Sequence, residues 1–214
     1  MDGNFLDLLL SQAVAIFAIL DPIGVSALLP SLLHKNITES EMKRVAFFAT
    51  LTATIAFFIV LLTGDLILKL FGIDMNSLKA MGGVVLLLMA INMVNGYSKK
   101  RSHHNKEEEE DDKEHENLAV IPIGIPIIFG PGLFATVIVF KTASQNMVDI
   151  LSLVFAFLIN LVILYFTLKN SIYIKKVVGI TGERIVTRLM GLITGAIAIQ
   201  FIVSGVVEIA KRYI

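Results

Sequence analysis

The sequence predicts an all-α integral membrane protein: six transmembrane helices arranged as two inverted three-helix repeats, with helices 1 and 4 broken. Three observations carry this. The chain is 56% hydrophobic and only 17% charged, with a mean hydropathy of +0.80, whereas soluble domains carry about 25% charged residues. The charges are bunched, with 13 of the 36 between residues 99 and 116, so the rest of the chain reads as long apolar runs. The third observation is an internal repeat. Pro22 and Pro131 lie 109 residues apart, and Lys79-Ala80-Met81-Gly82 matches Arg188-Leu189-Met190-Gly191 at the same offset. Gly96 and Gly205 keep that spacing, and Gly72-Ile73 matches Gly179-Ile180 at 107.

Six apolar spans follow in order, at residues 5–33, 45–62, 78–97, 118–140, 150–169 and 188–210. Each approaches or exceeds the ~20 residues that cross ~30 Å of hydrocarbon. The first is too long for a simple span, which fits an interrupted helix. It also lacks the basic start of a signal peptide, because Asp2 and Asp7 stand at its beginning and no Lys or Arg does. The division expected is 1–97 for the first repeat, 98–117 for a charged linker and 118–214 for the second repeat.

Basic residues set the expected orientation. Thirteen of the 18 Lys and Arg lie in the first, third and fifth loops, which places those loops in the cytoplasm and both termini outside the cell (inner) membrane. Three spans per repeat is an odd number, so the second repeat enters from the opposite side. The repeats are then related by a pseudo-two-fold axis in the membrane plane.

The two Pro-Gly interruptions carry the chemistry. They are Asp21-Pro22-Ile23-Gly24 and Gly130-Pro131-Gly132, at matching places in the two repeats. Proline removes a backbone donor and clashes with the preceding turn, and glycine frees the backbone to leave helical angles. Such backbone is tolerated in a membrane only against protein or a wet cavity. Helix amino ends offer free N–H groups to a carboxylate, and carboxyl ends offer carbonyls to an ammonium. A pair of breaks therefore suits a zwitterion. Pro30, Pro122 and Pro126 read as simple kinks.

Asp21 is the ionisable residue that stands out at mid-span. An intramembrane acid is a functional candidate by default, here as a proton carrier or amine contact. The plainer reading is an N-cap, with Pro22 at the first helical position. Thr136 follows the second break by about a turn, and Asn92 and Gln200 are candidate accessory or coupling residues from the third and sixth spans. Most such polar residues simply bond helix to helix. Gly191 and Gly195 form a Gly-x-x-x-Gly pattern matched by Gly82-Gly83, which reads as close helix packing within the chain, with dimerisation as the alternative.

These residues resemble a family. Ile19-Leu20-Asp21-Pro22-Ile23-Gly24 is similar to the Asn/Asp-Pro-Ile-Gly motif of MarC-type inner-membrane proteins, and residues 121–132, ending in Gly130-Pro131-Gly132, resemble that family's second motif. Arg188-Leu189-Met190-Gly191 and Ala198-Ile199-Gln200-Phe201 resemble its last span. The resemblance implies a six-span neutral amino acid transporter for substrates such as glycine and alanine, coupled to protons. The partners it implies are a small zwitterionic amino acid, a proton and the lipid bilayer.

Other classes find little support. His103, His104 and His115 lie in the linker among eight acids, and a solvated tether explains them without a metal. There is no phosphate-binding loop, no His-Glu-x-x-His and no cysteine, so neither an enzyme, a cofactor nor a metal is expected. Zero net charge gives no sign of nucleic-acid binding. A pore-type channel and a non-transporting scaffold are the alternatives to a carrier.

Overall fold

A computed structural model describes residues 5–33, 38–96, 124 and 127–213. The linker at 98–117 lies outside the described residues, as does most of the first half of the fourth span. Seven helices are described: α1 (Phe5–Leu20), α2 (Pro22–Leu32), α3 (Glu39–Leu70), α4 (Met75–Asn95), α5 (Pro131–Ala143), α6 (Met147–Lys169) and α7 (Ser171–Ala210). No strand occurs among the described residues. Five stretches are long and apolar enough to cross a membrane, and α5 is a shorter apolar helix.

Local chemistry sets the boundaries. The Thr38 side chain accepts from the Glu41 amide while Glu41 reaches back to the Thr38 amide at 2.6 Å, a capping box at the start of α3. Asn146 caps α6 by accepting from the Asp149 amide at 3.0 Å. Gly96, at φ 68°, ends α4.

Two spans differ from the sequence reading. The second extends over 39–70 rather than 45–62, with Lys43, Arg44, Asp65 and Lys69 inside the helix toward its ends. Residues 171–187, read as loop, are helical and run into the sixth span through a non-helical Gly179.

The internal repeat is visible in the backbone. Gly72 and Gly179, matched in sequence, both take positive φ (64° and 66°), and each precedes the third span of its repeat. Neither has an atom within 4 Å of where a Cβ would sit, so backbone conformation alone asks for glycine there.

The third spans, α4 and α7, pack antiparallel along their length. A Cβ on Gly205 would meet the Asn76 carbonyl at 2.6 Å and the Ala80 amide nitrogen at 2.7 Å. A Cβ on Gly83 would meet the Ala198 carbonyl at 2.7 Å, and one on Gly191 the Ala90 carbonyl at 3.1 Å. Lys79 donates to the Ser204 hydroxyl at 2.6 Å. Its repeat counterpart Arg188 sits at the other end of the seam, beside Gly96. Exchange of the repeats maps this helix pair onto itself with its direction reversed, the signature of an inverted repeat. In the same way α2 packs on α7 as α5 packs on α4.

The core lies between α1, α3, α5 and α6. Phe57 and Phe157 stack there with centroids 3.8 Å apart and planes 7° from parallel. Leu62, Leu66 and Leu70 are at least 67% exposed, as expected of a lipid-facing side.

One cap titrates outside the spans. Asp74 accepts from the Asn76 and Ser77 amides at 3.0 and 3.2 Å and from the Ser77 hydroxyl, and it pairs with Arg212 at 3.6 Å. Of these, the Ser77 hydroxyl contributes most to holding its carboxyl below the ordinary range. A depressed carboxylate stabilises above its unfolded pKa, and the contribution is lost as pH falls through the folded value. Asp74→Ala should therefore lower the melting temperature at pH 7. The difference from wild type should shrink as pH falls below the ordinary aspartate range.

Candidate functional site

The first break sits on Asp21. This residue is buried and left-handed, at φ 41° and ψ 64°. It is the one described non-glycine residue with positive φ. Aspartate tolerates that region better than most residues because its short side chain bonds locally. Here Oδ1 accepts from the Gly24 amide at 3.2 Å, so Asp21 caps α2 while Pro22 fills the first helical position. The expected cap is thus present, but in left-handed rather than the usual extended geometry.

The end of α1 is left with acceptors. The Asp21 amide bonds the Phe17 carbonyl at 3.0 Å, which closes the last regular turn. The Ala18 carbonyl comes next and has lost its helical donor, because Pro22 has no N–H. Asp21 makes no ion pair among the described residues.

The second break has the opposite character. Gly130 is the N-cap of α5 with no side-chain cap, and Pro131 is its first residue. The first-turn amides of Gly132 and Leu133 therefore point out of an uncapped helix end, where the helix dipole is positive. Upstream, the Phe129 amide bonds the Gly124 carbonyl at 3.0 Å in a π-type turn, and the Phe129 ring stands edge-on to Phe157 at 6.4 Å. Helix α1 also contacts α5.

The predicted site residues fall into two groups. Asp21, Pro22, Gly24, Gly130 and Gly132 are buried at the breaks, Ile23 is half-buried, and Pro131 is exposed. Thr136 is buried in the same region, but its hydroxyl donates to the Gly132 carbonyl at 2.8 Å, which braces the break. Asn92 and Gln200 are exposed on α4 and α7, away from the buried residues of the breaks. Gln200 lines an open groove with Ser204 and Glu208.

Gly132 has a packing role that its motif does not reveal. A Cβ there would meet Met89 Sδ at 2.8 Å and Leu86 Cδ2 at 2.9 Å, so that side of the glycine is filled by α4.

Sequence reading missed Thr187 altogether, having placed it in a loop. Its buried hydroxyl lies against Gly24 and beside the Asp21 carboxylate. The signal was available in the spacing: Thr187, Gly191, Thr194 and Ala198 recur on one helical face. Glu183, one turn before Thr187, lies within electrostatic range of Asp21, with Lys175 and Arg184 beside it. Among the described residues no three His, Asp or Glu side chains converge as metal ligands would.

Comparison with known proteins agrees with the motifs. The UPF0056 membrane protein MJ1677 of Methanocaldococcus jannaschii is 33% identical over 192 residues, covering 90% of this chain and 92% of that protein. A UPF0056 membrane protein of Buchnera aphidicola is 29% identical, with 93% of this chain and 92% of its own length covered. The UPF0056 membrane protein YhcE of Escherichia coli is 28% identical, with 90% and 89% covered. No solved structure matches. The profile of MarC family integral membrane proteins matches residues 6–210. Near full-length agreement with that profile, together with the two Pro-Gly breaks, makes this chain a multi-span integral membrane protein of the MarC family.

Proposed function

We propose that this chain is a secondary transporter of small neutral amino acids such as glycine and alanine, coupled to protons. It works by alternating access around a mid-membrane site formed by the two broken helices. One observation supports this above the others: the breaks are chemically complementary. The first presents the Asp21 carboxylate and the carbonyl end of α1, and the second an uncapped helix amino end. A zwitterion satisfies both, its ammonium at Asp21-Pro22-Ile23-Gly24 and its carboxylate at Gly130-Pro131-Gly132. The apolar side chains of Leu86 and Met89 around Gly132 offer no partner to a charged substrate side chain, which favours small neutral substrates. Asp21 carries the coupled proton, Thr136 braces the second break, and no enzymatic step is involved.

Thermal protection tests the reading directly. Glycine and alanine should raise the melting temperature of the purified protein, with ~2.7 kcal/mol of stabilisation at about 100 times Kd. Glutamate and lysine should not. Absence of protection by any neutral amino acid would sink the proposal.

Orientation is a separate expectation. With thirteen of the 18 basic residues on the loops assigned to the cytoplasm, a reporter at Ile214 should read outside and one at Lys106 inside. The opposite result at Ile214 would remove the proposed topology.

A further inference from the structure

We propose that the outer face of α7 is an interface between two copies of this chain, closed by Gln200 of one copy pairing with Gln200 of the other.

Gln200 lies deep in the membrane yet outside the bundle. The nearest charged residues of its helix are Arg188 and Glu208, about 18 and 12 Å away along the axis. That depth is hydrocarbon. The side chain is exposed, on the side of α7 opposite the buried Gly191, Thr194, Ala198 and Gly205. It makes no hydrogen bond among the described residues. Exposed hydroxyls elsewhere in the spans are answered by their own helix. Ser11 donates to the Leu8 carbonyl at 2.9 Å and Thr63 to the Ile59 carbonyl at 2.7 Å. An amide left unpaired in lipid is costly, so Gln200 asks for a partner that is protein.

The surface around it has the spacing of a helix–helix contact. Ile193, Ala196, Gln200, Val203, Val207 and Ala210 are all exposed. Their separations alternate between three and four residues. That is the seven-residue repeat by which two helices pack knobs into holes. Gln200, Val203 and Val207 also line an open groove of about 520 Å³, room for a knob from a facing helix. A single polar residue within such a seam fixes register and pairing. In lipid, where apolar surface alone gives little drive to associate, the amide supplies it.

Symmetry selects a second copy as the partner. Copies inserted the same way meet about a two-fold axis along the membrane normal. Their α7 helices then run parallel, and the two Gln200 side chains arrive at one depth. An amide both donates and accepts, so Nε2 of each reaches Oε1 of the other. The other polar groups of this face are already engaged: Ser204 accepts from Lys79 and Glu208 from Lys211, both at 2.6 Å. The Gly191-x-x-x-Gly195 pattern does not serve a dimer. A Cβ on Gly191 would meet the Ala90 carbonyl and one on Gly195 the Ala90 side chain, so both glycines are used against α4. The interface does not rest on the transporter reading.

The chain has no cysteine, so a single introduced thiol reports by itself. Under mild oxidation in native membranes, Val203→Cys should crosslink into a dimer. Val162→Cys, on the exposed face of α6, should not. Energy transfer between labelled copies, followed as proteoliposomes are diluted with lipid, then measures the affinity. Gln200→Leu should weaken the dimer about tenfold, because the amide pair is lost while the seam keeps its shape. Ala196→Trp should abolish the dimer by holding the helices apart, with an unchanged melting temperature, and Val162→Trp should leave it intact. If Ala196→Trp does not fold, the crosslink and Gln200→Leu still decide. A monomer at every dilution, a Val203→Cys crosslink no stronger than that of Val162→Cys, or wild-type affinity in Gln200→Leu overturns the interface. A Gln200-dependent dimer that no amino acid protects against heat would leave the interface standing and remove the transporter reading.

Discussion

Gly83→Val is expected to abolish the folded bundle, whereas Gly195→Ala is expected to be tolerated. Both glycines lie on the α4–α7 seam, and the difference is what faces them. A Cβ on Gly83 meets the Ala198 carbonyl at 2.7 Å and the Ile202 amide nitrogen at 2.8 Å. These are backbone atoms of a packed helix and cannot swing aside, so the helices must separate. Overpacking costs about 1–3 kcal/mol where side chains can yield. A backbone clash in the closest helix pair should exceed about 3 kcal/mol. A Cβ on Gly195 meets only Ala90 Cβ, at 3.4 Å, which is ordinary contact. There the gain in helix propensity, about 0.5–1 kcal/mol, offsets the crowding. Melting curves of the two variants in detergent check this. A wild-type melting temperature for Gly83→Val would show that the seam is looser than its contacts imply.

Asp21→Asn should leave the fold intact and abolish proton-driven accumulation. Asparagine caps a helix about as well as aspartate and tolerates left-handed angles, so both local duties of the residue survive. The melting temperature should change little. Asp21→Ala should cost about 1 kcal/mol for the cap and about 1 kcal/mol more for the left-handed conformation. What Asn lacks is a titratable charge. In proteoliposomes, Asp21→Asn should exchange labelled glycine for unlabelled glycine while failing to concentrate it against an imposed pH gradient. Undiminished accumulation would confine Asp21 to capping. Loss of exchange as well, in a protein that still melts normally, would make the carboxylate a substrate contact in its own right.

Much of the local structure was legible in the residues. Proline without an N–H, an adjoining capping aspartate and glycines at positive φ act within a turn or two of their own position. The breaks at Asp21 and Gly130, and the matched Gly72 and Gly179, are therefore found where the chain itself marks them. The 109-residue offset and an odd number of spans per repeat imply inversion, and the antiparallel α4–α7 pair is the form that inversion takes in the fold.

Facing and register were another matter. In a membrane protein the lipid side and the core side of a helix are both apolar, so hydrophobic pattern does not say which face points inward. Asn92 and Gln200 are exposed for that reason, despite being plausible inward residues by sequence. Gly132 is a glycine of the break by motif and a seat for Met89 and Leu86 by packing. Thr187 became part of the first break only when the charged stretch before the sixth span proved helical and α7 docked on α2. Which hydroxyl meets which carboxylate depends on how two helices rotate and slide against each other. That is settled by the summed packing of the whole bundle, and no short run of residues encodes it.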